Sequence, residues 1–206
     1  MKDKIIKEKK LLRKILLEAR ENISPEEART ADNAILSRVL NAGFYREAES
    51  VFIYVSVDRE MDTKPVIHQA FKDGKTVLVP RTGKDRTMEA VLIDEEEFLK
   101  RAETEWPRCF NIPEPPDDLP ALDPARIDLV IVPSLALDLF GYRLGYGGGF
   151  YDHFIAAAHK QKKRPVFVAV QRAAFIRDDA LPREPYDMAV DYIVSENGIS
   201  IPVSSV

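Results

Sequence analysis

The sequence predicts an α/β fold built on a mainly parallel sheet. Two observations carry this. Helix and strand signals take turns along the chain, and the strongest strand segments are apolar throughout, as strands buried on both faces are. With 206 residues and 45% hydrophobic content, one domain over 1–206 with a sizeable core is expected.

Each element has its own warrant. Ile5, Leu12, Ile15, Leu16 and Ala19 fall at helical spacing, while Lys9, Lys10, Arg13 and Arg20 project from other faces, giving an amphipathic helix with a basic side. Ser24, Pro25 and Glu27 read as N-cap, first helical position and capping-box partner of a second helix running to Leu40. "SVFIYVS" at 50–56 is β-branched and aromatic, hence a buried strand. "TKPVIHQAFKDG" is a short helix closed by Gly74, and "TVLVP" and "MEAVLI" return to strand. "IPEPPDDLPALDP" is a proline-rich surface connection. "IDLVIVP" is a strand, "YDHFIAAAHKQKK" a helix, and "PVFVAVQ" and "VDYIVS" close the chain as strands.

Composition narrows the function. The longest apolar run, "IDLVIVPSLALDLF", is broken by Asp128, Pro133 and Asp138, so no membrane span is expected. The basic first helix lacks the uninterrupted apolar core of a secretory signal. Cys109 is alone, which excludes an internal disulfide and a cysteine metal cluster, and a reducing cytoplasm is expected. A net charge of −4 argues against a general nucleic-acid coat. His68, His153 and His159 show no metal-ligand spacing, and the glycosylation-type triplet Asn22–Ser24 is accidental in a chain without an export signal.

The stretch "GYRLGYGGGFYD", 141–152, holds five of the nine glycines. It is expected between the carboxyl end of a central strand and the amino end of a helix, where open α/β sheets bind ligands and free N–H groups attract anions. Gly145, Gly147, Gly148 and Gly149 would let backbone approach phosphate oxygens without intervening Cβ atoms, and Arg143 would add a charged contact. The spacing matches neither of the two commonest phosphate loops, and a tight turn without a ligand is the alternative reading.

This stretch, preceded by "VPSLALDLF", resembles the signature of the 5-formyltetrahydrofolate cyclo-ligases, or methenyltetrahydrofolate synthetases. The resemblance spans nearly the whole chain through "KKLLR", "DREMDT", "VPR", "FNIPEP" and "YDMAVD". It implies a three-layer α/β/α sandwich like that of sugar-phosphate isomerases and CoA transferases. It also implies ATP- and Mg²⁺-dependent conversion of 5-formyltetrahydrofolate to 5,10-methenyltetrahydrofolate, with ATP as co-substrate and Mg²⁺ as cofactor. Small-molecule partners are expected, with no nucleic acid or membrane, and a monomer or weak homodimer.

By the same resemblance, Lys9, Arg13 and the run Arg143, Leu144, Gly145, Tyr146, Gly147, Gly148, Gly149, Phe150 and Tyr151 meet ATP, with Arg143 also catalytic. Val55, Glu60, Phe110, Tyr146, Gly147, Gly148, Gly149 and Phe150 meet the folate, and Asp152 and Asp187 hold Mg²⁺. Each has a plainer reading beside it. Lys9 and Arg13, four apart and able to reach one phosphate, also suit a solvated basic face; Asp152 suits a helix dipole; Phe110 suits a core. Arg143→Ala is expected to lower turnover without unfolding the domain. Phe150 stands where the family often has tyrosine and Asn111 where glycine is common, and the nearby Trp106 leaves the aromatic register open. Two other functions stay open: a non-catalytic folate- or RNA-binding relative, and another enzyme of this architecture, such as a sugar-phosphate isomerase or acyltransferase.

Overall fold

The computed structural model describes residues 2–102, 105–109 and 112–203. Helix α1 (Lys2–Glu21) is followed by α2 (Pro25–Asn41), and the junction carries the expected reciprocal cap. The Ser24 hydroxyl accepts from the Glu27 N–H, and the Glu27 carboxylate accepts from the Ser24 N–H. A single turn, α3 (Gly43–Arg46), leads to β1 (Ser50–Ile53), α4 (Lys64–Lys72), β2 (Thr76–Thr82), β3 (Met88–Ile93) and α5 (Glu95–Arg101). The short strand β4 (Arg108–Cys109) precedes the proline-rich connection, which itself contains β5 (Ile112–Pro113) and β6 (Ala121–Leu122). Then come β7 (Leu129–Val132), β8 (Ala136–Asp138), β9 (Arg143–Leu144) and α6 (Phe150–Ala158). Strands β10 (Val166–Val170), β11 (Ile176–Arg177), β12 (Tyr192–Ser195) and β13 (Gly198–Ser200) follow.

Among the described residues an eight-stranded sheet runs in the order β13-β12-β10-β7-β1-β2-β3-β6. Its inner strands β12, β10, β7, β1 and β2 are mutually parallel, as expected; β13, β3 and β6 join antiparallel at the two sides. Alternation along each strand splits the core in two. Val51, Ile53, Val77 and Ile131 face Ile35 and Val39 of α2 and Val66 and Ile67 of α4, while Phe52, Val130 and Phe167 face Phe154 and Ile155 of α6. Helices on both faces of one sheet give the three-layer arrangement.

Two local expectations need correction. The glycine-rich stretch does not leave the central strand β7 directly. Strands β8 and β9 intervene and, with β11, form a separate three-stranded sheet. Leu135, Ala136 and Leu144 there, with Phe175 and Leu181, make a third apolar cluster that receives Leu12 and Leu16 of α1. The helix after the glycines ends at Ala158, short of the lysine run. Trp106 is core: it is buried, packs edge-on to Phe98, and its indole N–H donates to Glu97 Oε1 at 2.7 Å.

Candidate active site

The glycine stretch is held against the amino-terminal helix. Arg13 Nε donates to the Gly145 carbonyl at 2.8 Å, and Gly147 lies so near that a Cβ there would stand 3.5 Å from Arg13 Cζ. Gly147 has φ +109° and Gly149, at the cap of α6, has φ +73°, both in the region that favours glycine. Gly148 is a glycine for another reason: an added Cβ would meet the Phe150 ring at 2.6 Å. Gly145 has an ordinary φ and no atom within 4 Å of an added Cβ, so nothing in the fold requires glycine there.

Lys9, four residues before Arg13, is buried against the segment 184–187. Its ammonium donates to Glu184 Oε2 at 3.1 Å and Asp187 Oδ2 at 2.5 Å. The solvated-face reading therefore fails for Lys9, although its charge is engaged by carboxylates. Asp187 also accepts from the Glu184 N–H at 2.7 Å, closing the turn in which both sit. Asp152, in the first turn of α6, accepts from the Met188 N–H at 3.0 Å and pairs with Arg143 at 3.1 Å. The expected metal acids are thus tied to the backbone of one short segment, Asp187 through the Glu184 N–H and Asp152 through the Met188 N–H.

The Arg143 side chain is 4% exposed, and its guanidinium donates to the Met188 carbonyl, pairs with Asp152 and lies 6.0 Å from the Tyr151 ring centre. These contacts give Arg143 a structural role beside the one expected at ATP, so its removal is expected to cost stability as well as turnover. Tyr151 is packed against Phe52, and its hydroxyl is buried without a hydrogen-bond partner among the described residues. Burial first, then the Glu60 charge, pushes that phenol above its ordinary range, so it stays protonated.

Tyr146 connects the loop to Glu60. Its hydroxyl donates to Glu60 Oε1 at 2.6 Å and accepts from Arg20 Nη1 at 2.9 Å. Glu60 Oε2 accepts from the Val57 N–H at 3.0 Å. Burial holds the Glu60 carboxyl above the usual carboxylate range, against the lowering effect of the Tyr146 hydrogen bond. Burial, followed by the Glu60 charge, likewise raises the Tyr146 phenol. Val55, Val57, Lys64, His68, Phe98 and Arg108 help to line a cavity of about 520 Å³ along the same β1–α4 turn. Phe110 lies outside the described residues, as does Asn111.

The structure thus brings Lys9, Arg13, Glu60, Tyr146, Asp152 and Asp187 around one loop, with Val55 on the adjoining cavity wall. Sequence reasoning missed three charged groups here. Arg20 is buried and bridges Tyr146 to the Ser134 carbonyl. Glu184 is the buried partner of Lys9. Arg86, from the β2–β3 turn, would stand 3.7 Å from a Cβ added at Gly149. Burial of a charge leaves no local signal; only Arg20, on the basic helix, had a pattern that could have found it.

Known proteins give the same outline. Residues 5–196 match the profile of the 5-formyltetrahydrofolate cyclo-ligase family. The chain is 27% identical over 186 residues to the 5-formyltetrahydrofolate cyclo-ligase of Escherichia coli, covering 90% of this chain and 98% of that one. It is 29% identical over 226 residues to the Arabidopsis thaliana cyclo-ligase described as mitochondrial, covering 98% and 78%. The NMR structure of Aquifex aeolicus 5,10-methenyltetrahydrofolate synthetase superposes with a TM-score of 0.77 at 25% identity, covering 96% of this chain and 94% of that one. With a matched profile across most of its length and relatives aligned nearly end to end, the chain belongs to the 5-formyltetrahydrofolate cyclo-ligase family.

Proposed function

We propose that the protein cyclises 5-formyltetrahydrofolate to 5,10-methenyltetrahydrofolate, using ATP and Mg²⁺ and releasing ADP and phosphate. The observation that carries this reading is the Tyr146–Glu60 hydrogen bond, which joins the glycine loop to a carboxylate-bearing turn beside a cavity. An ATP-dependent cyclo-ligase needs two substrates within reach of each other.

A formamide carbonyl is a poor electrophile and its oxygen a poor leaving group. Transfer of the γ-phosphoryl group to that oxygen releases ADP and makes an iminium phosphate. The N10 amine then attacks the formyl carbon, its proton passes to solvent, and phosphate departs. No protein nucleophile is needed, so the residues act by positioning and electrostatics. Arg13 and the open face at Gly145 receive the nucleotide phosphates. Glu60 recognises the pterin's amino and ring N–H groups, and Tyr146 fixes the rotamer of that carboxylate. Val55 and Phe98 supply apolar wall for the folate ring system, and Lys64 and Arg108, which line the same cavity, suit the carboxylates of its glutamate.

Asp152 and Asp187 fit a hard cation. Their protein bonds use Oδ1 of the first and Oδ2 of the second, so each has another oxygen to offer. Among the described residues no group of three or more His, Cys, Asp or Glu could hold a metal alone. A pair of carboxylates completed by nucleotide phosphates is the usual Mg²⁺ set. When bound, Mg²⁺ would neutralise charge on those phosphates. The lone Cys109 supports a reducing compartment such as the cytoplasm.

Absorbance of the methenyl product tests the reading directly. Product is expected with folate, ATP and divalent metal together; full turnover in excess chelator would end the metal assignment. A sugar-phosphate isomerase or a binding protein of this fold would form product under no condition.

Glu60→Gln is expected to raise the folate KM by about 5–150-fold, the equivalent of 1–3 kcal/mol for an unpaired buried donor, with the ATP KM nearly unchanged. The fold should tolerate it. Because the folded pKa is raised, the ionised carboxylate is disfavoured in the native state, and its contribution to stability falls as pH rises through that pKa. The amide removes that unfavourable charge, so no large fall in melting temperature is expected. Equal changes in both KM values would refute the role.

A further inference from the structure

The turn that presents Glu60 is held by one buried guanidinium. Arg172, which follows β10, is 5% exposed. Its Nη1 donates to the Arg59 carbonyl and its Nη2 to the Glu60 carbonyl, each at 3.0 Å. The same side chain forms a bidentate pair with Asp32 of α2, at 2.7 and 2.8 Å. Asp32 in turn accepts from the Asp62 N–H at 3.2 Å, so the pair grips the turn on both sides of Glu60. The turn needs such a grip: Asp58, two residues before Glu60, has φ +49°, a strained conformation for a non-glycine residue. Neither Arg172 nor Asp32 lines the adjoining cavity.

We propose that Arg172, oriented by Asp32, is a positioning residue that sets folate affinity by fixing the backbone of the Glu60 turn. The inference rests on the reading of Glu60 as the pterin-recognition carboxylate. Arginine suits the task because its planar fork serves a carboxylate and two carbonyls at once, whereas an ammonium is a point donor.

The test compares Arg172→Lys with the double variant Asp32→Asn/Arg172→Met, which removes both buried charges and so avoids stranding one of them. Turnover is measured against folate and against ATP, and binding of 5-formyltetrahydrofolate alone by calorimetry. In both variants the folate KM and dissociation constant should rise about ten-fold or more, with the ATP KM within about two-fold of the parent. In a Glu60→Gln background Arg172→Lys should add less than about two-fold, since it acts through that residue. A double variant with parental folate binding would overturn the proposal, as would parallel losses for both substrates or full multiplication with Glu60→Gln. A parent that binds the folate without forming product would sink the proposed reaction and leave the calorimetric arm to judge Arg172. A parent that does not bind it would sink both.

Discussion

Arg143→Ala is expected to lose ATP-dependent turnover and to melt roughly 6–20 °C below the parent, the counterpart of about 3–5 kcal/mol for breaking a buried ion pair in a chain of this size. The cost has three sources. Asp152 loses its cationic partner while its other bond, from the Met188 N–H, remains. The Met188 carbonyl loses a donor, and the space beside Tyr151 is left unfilled. Since Asp187 precedes Met188, both expected metal acids shift with this one side chain. Arg143→Lys should recover part of the melting temperature by restoring charge at Asp152, but not the second contact. Thermal melts read beside ATP KM decide the matter. An alanine variant that melts with the parent yet binds ATP poorly would mean that Arg143 serves the nucleotide and not the fold.

Gly147→Val is expected to reduce turnover by at least about a hundred-fold, because a β-branched residue is a severe outlier at φ +109°. Its Cβ would only touch the Arg13 guanidinium that holds the loop to α1, at an ordinary contact distance of 3.5 Å, so the cost lies in the backbone angle. Such a variant loses stability and activity together, so it cannot by itself identify a phosphate site. Gly145→Ala can. Its φ is ordinary and its Cβ would enter open space, so the melting temperature should stay within about 2 °C of the parent, as for surface substitutions generally. If backbone here meets phosphate, the ATP KM should nevertheless rise about ten-fold or more. An unchanged ATP KM in Gly145→Ala would move the phosphates to another part of the loop.

The contrast between these glycines marks what a sequence can disclose. Their clustering announced a special loop, but not which of them answers a backbone angle, which a neighbouring ring and which neither. The inner strands were legible because runs such as Leu129–Val132 and Val166–Val170 are too apolar to face water. The antiparallel setting of Met88–Ile93 was not, since direction depends on the turn at 83–87 and not on the strand's own residues. Strands as short as Ala136–Asp138 and Arg143–Leu144 have no periodicity to read. Glu95–Arg101 is amphipathic over too few turns to stand out. Lys9, Arg13, Glu60 and the loop were singled out only through a family resemblance carried by "KKLLR", "DREMDT" and the glycine stretch together. Arg172 and Glu184 were not, because their meaning lies in partners 140 and 175 positions away.

That separation bears on how the protein is made. Glu184 and Asp187 are synthesised 175 and 178 residues after Lys9. Synthesis at about 5–20 residues per second puts roughly 9–36 s between them. Throughout that interval α1 has a lysine destined for burial but no carboxylates to receive it, and its apolar side awaits Leu144, Phe175 and Leu181. A nascent chain can therefore begin pairing β1, β2 and β7 long before the proposed nucleotide site is assembled. On the proposed reading competence arrives late, so ATP would stabilise only molecules in which that site is complete and leave arrested ones to the cell's proteases.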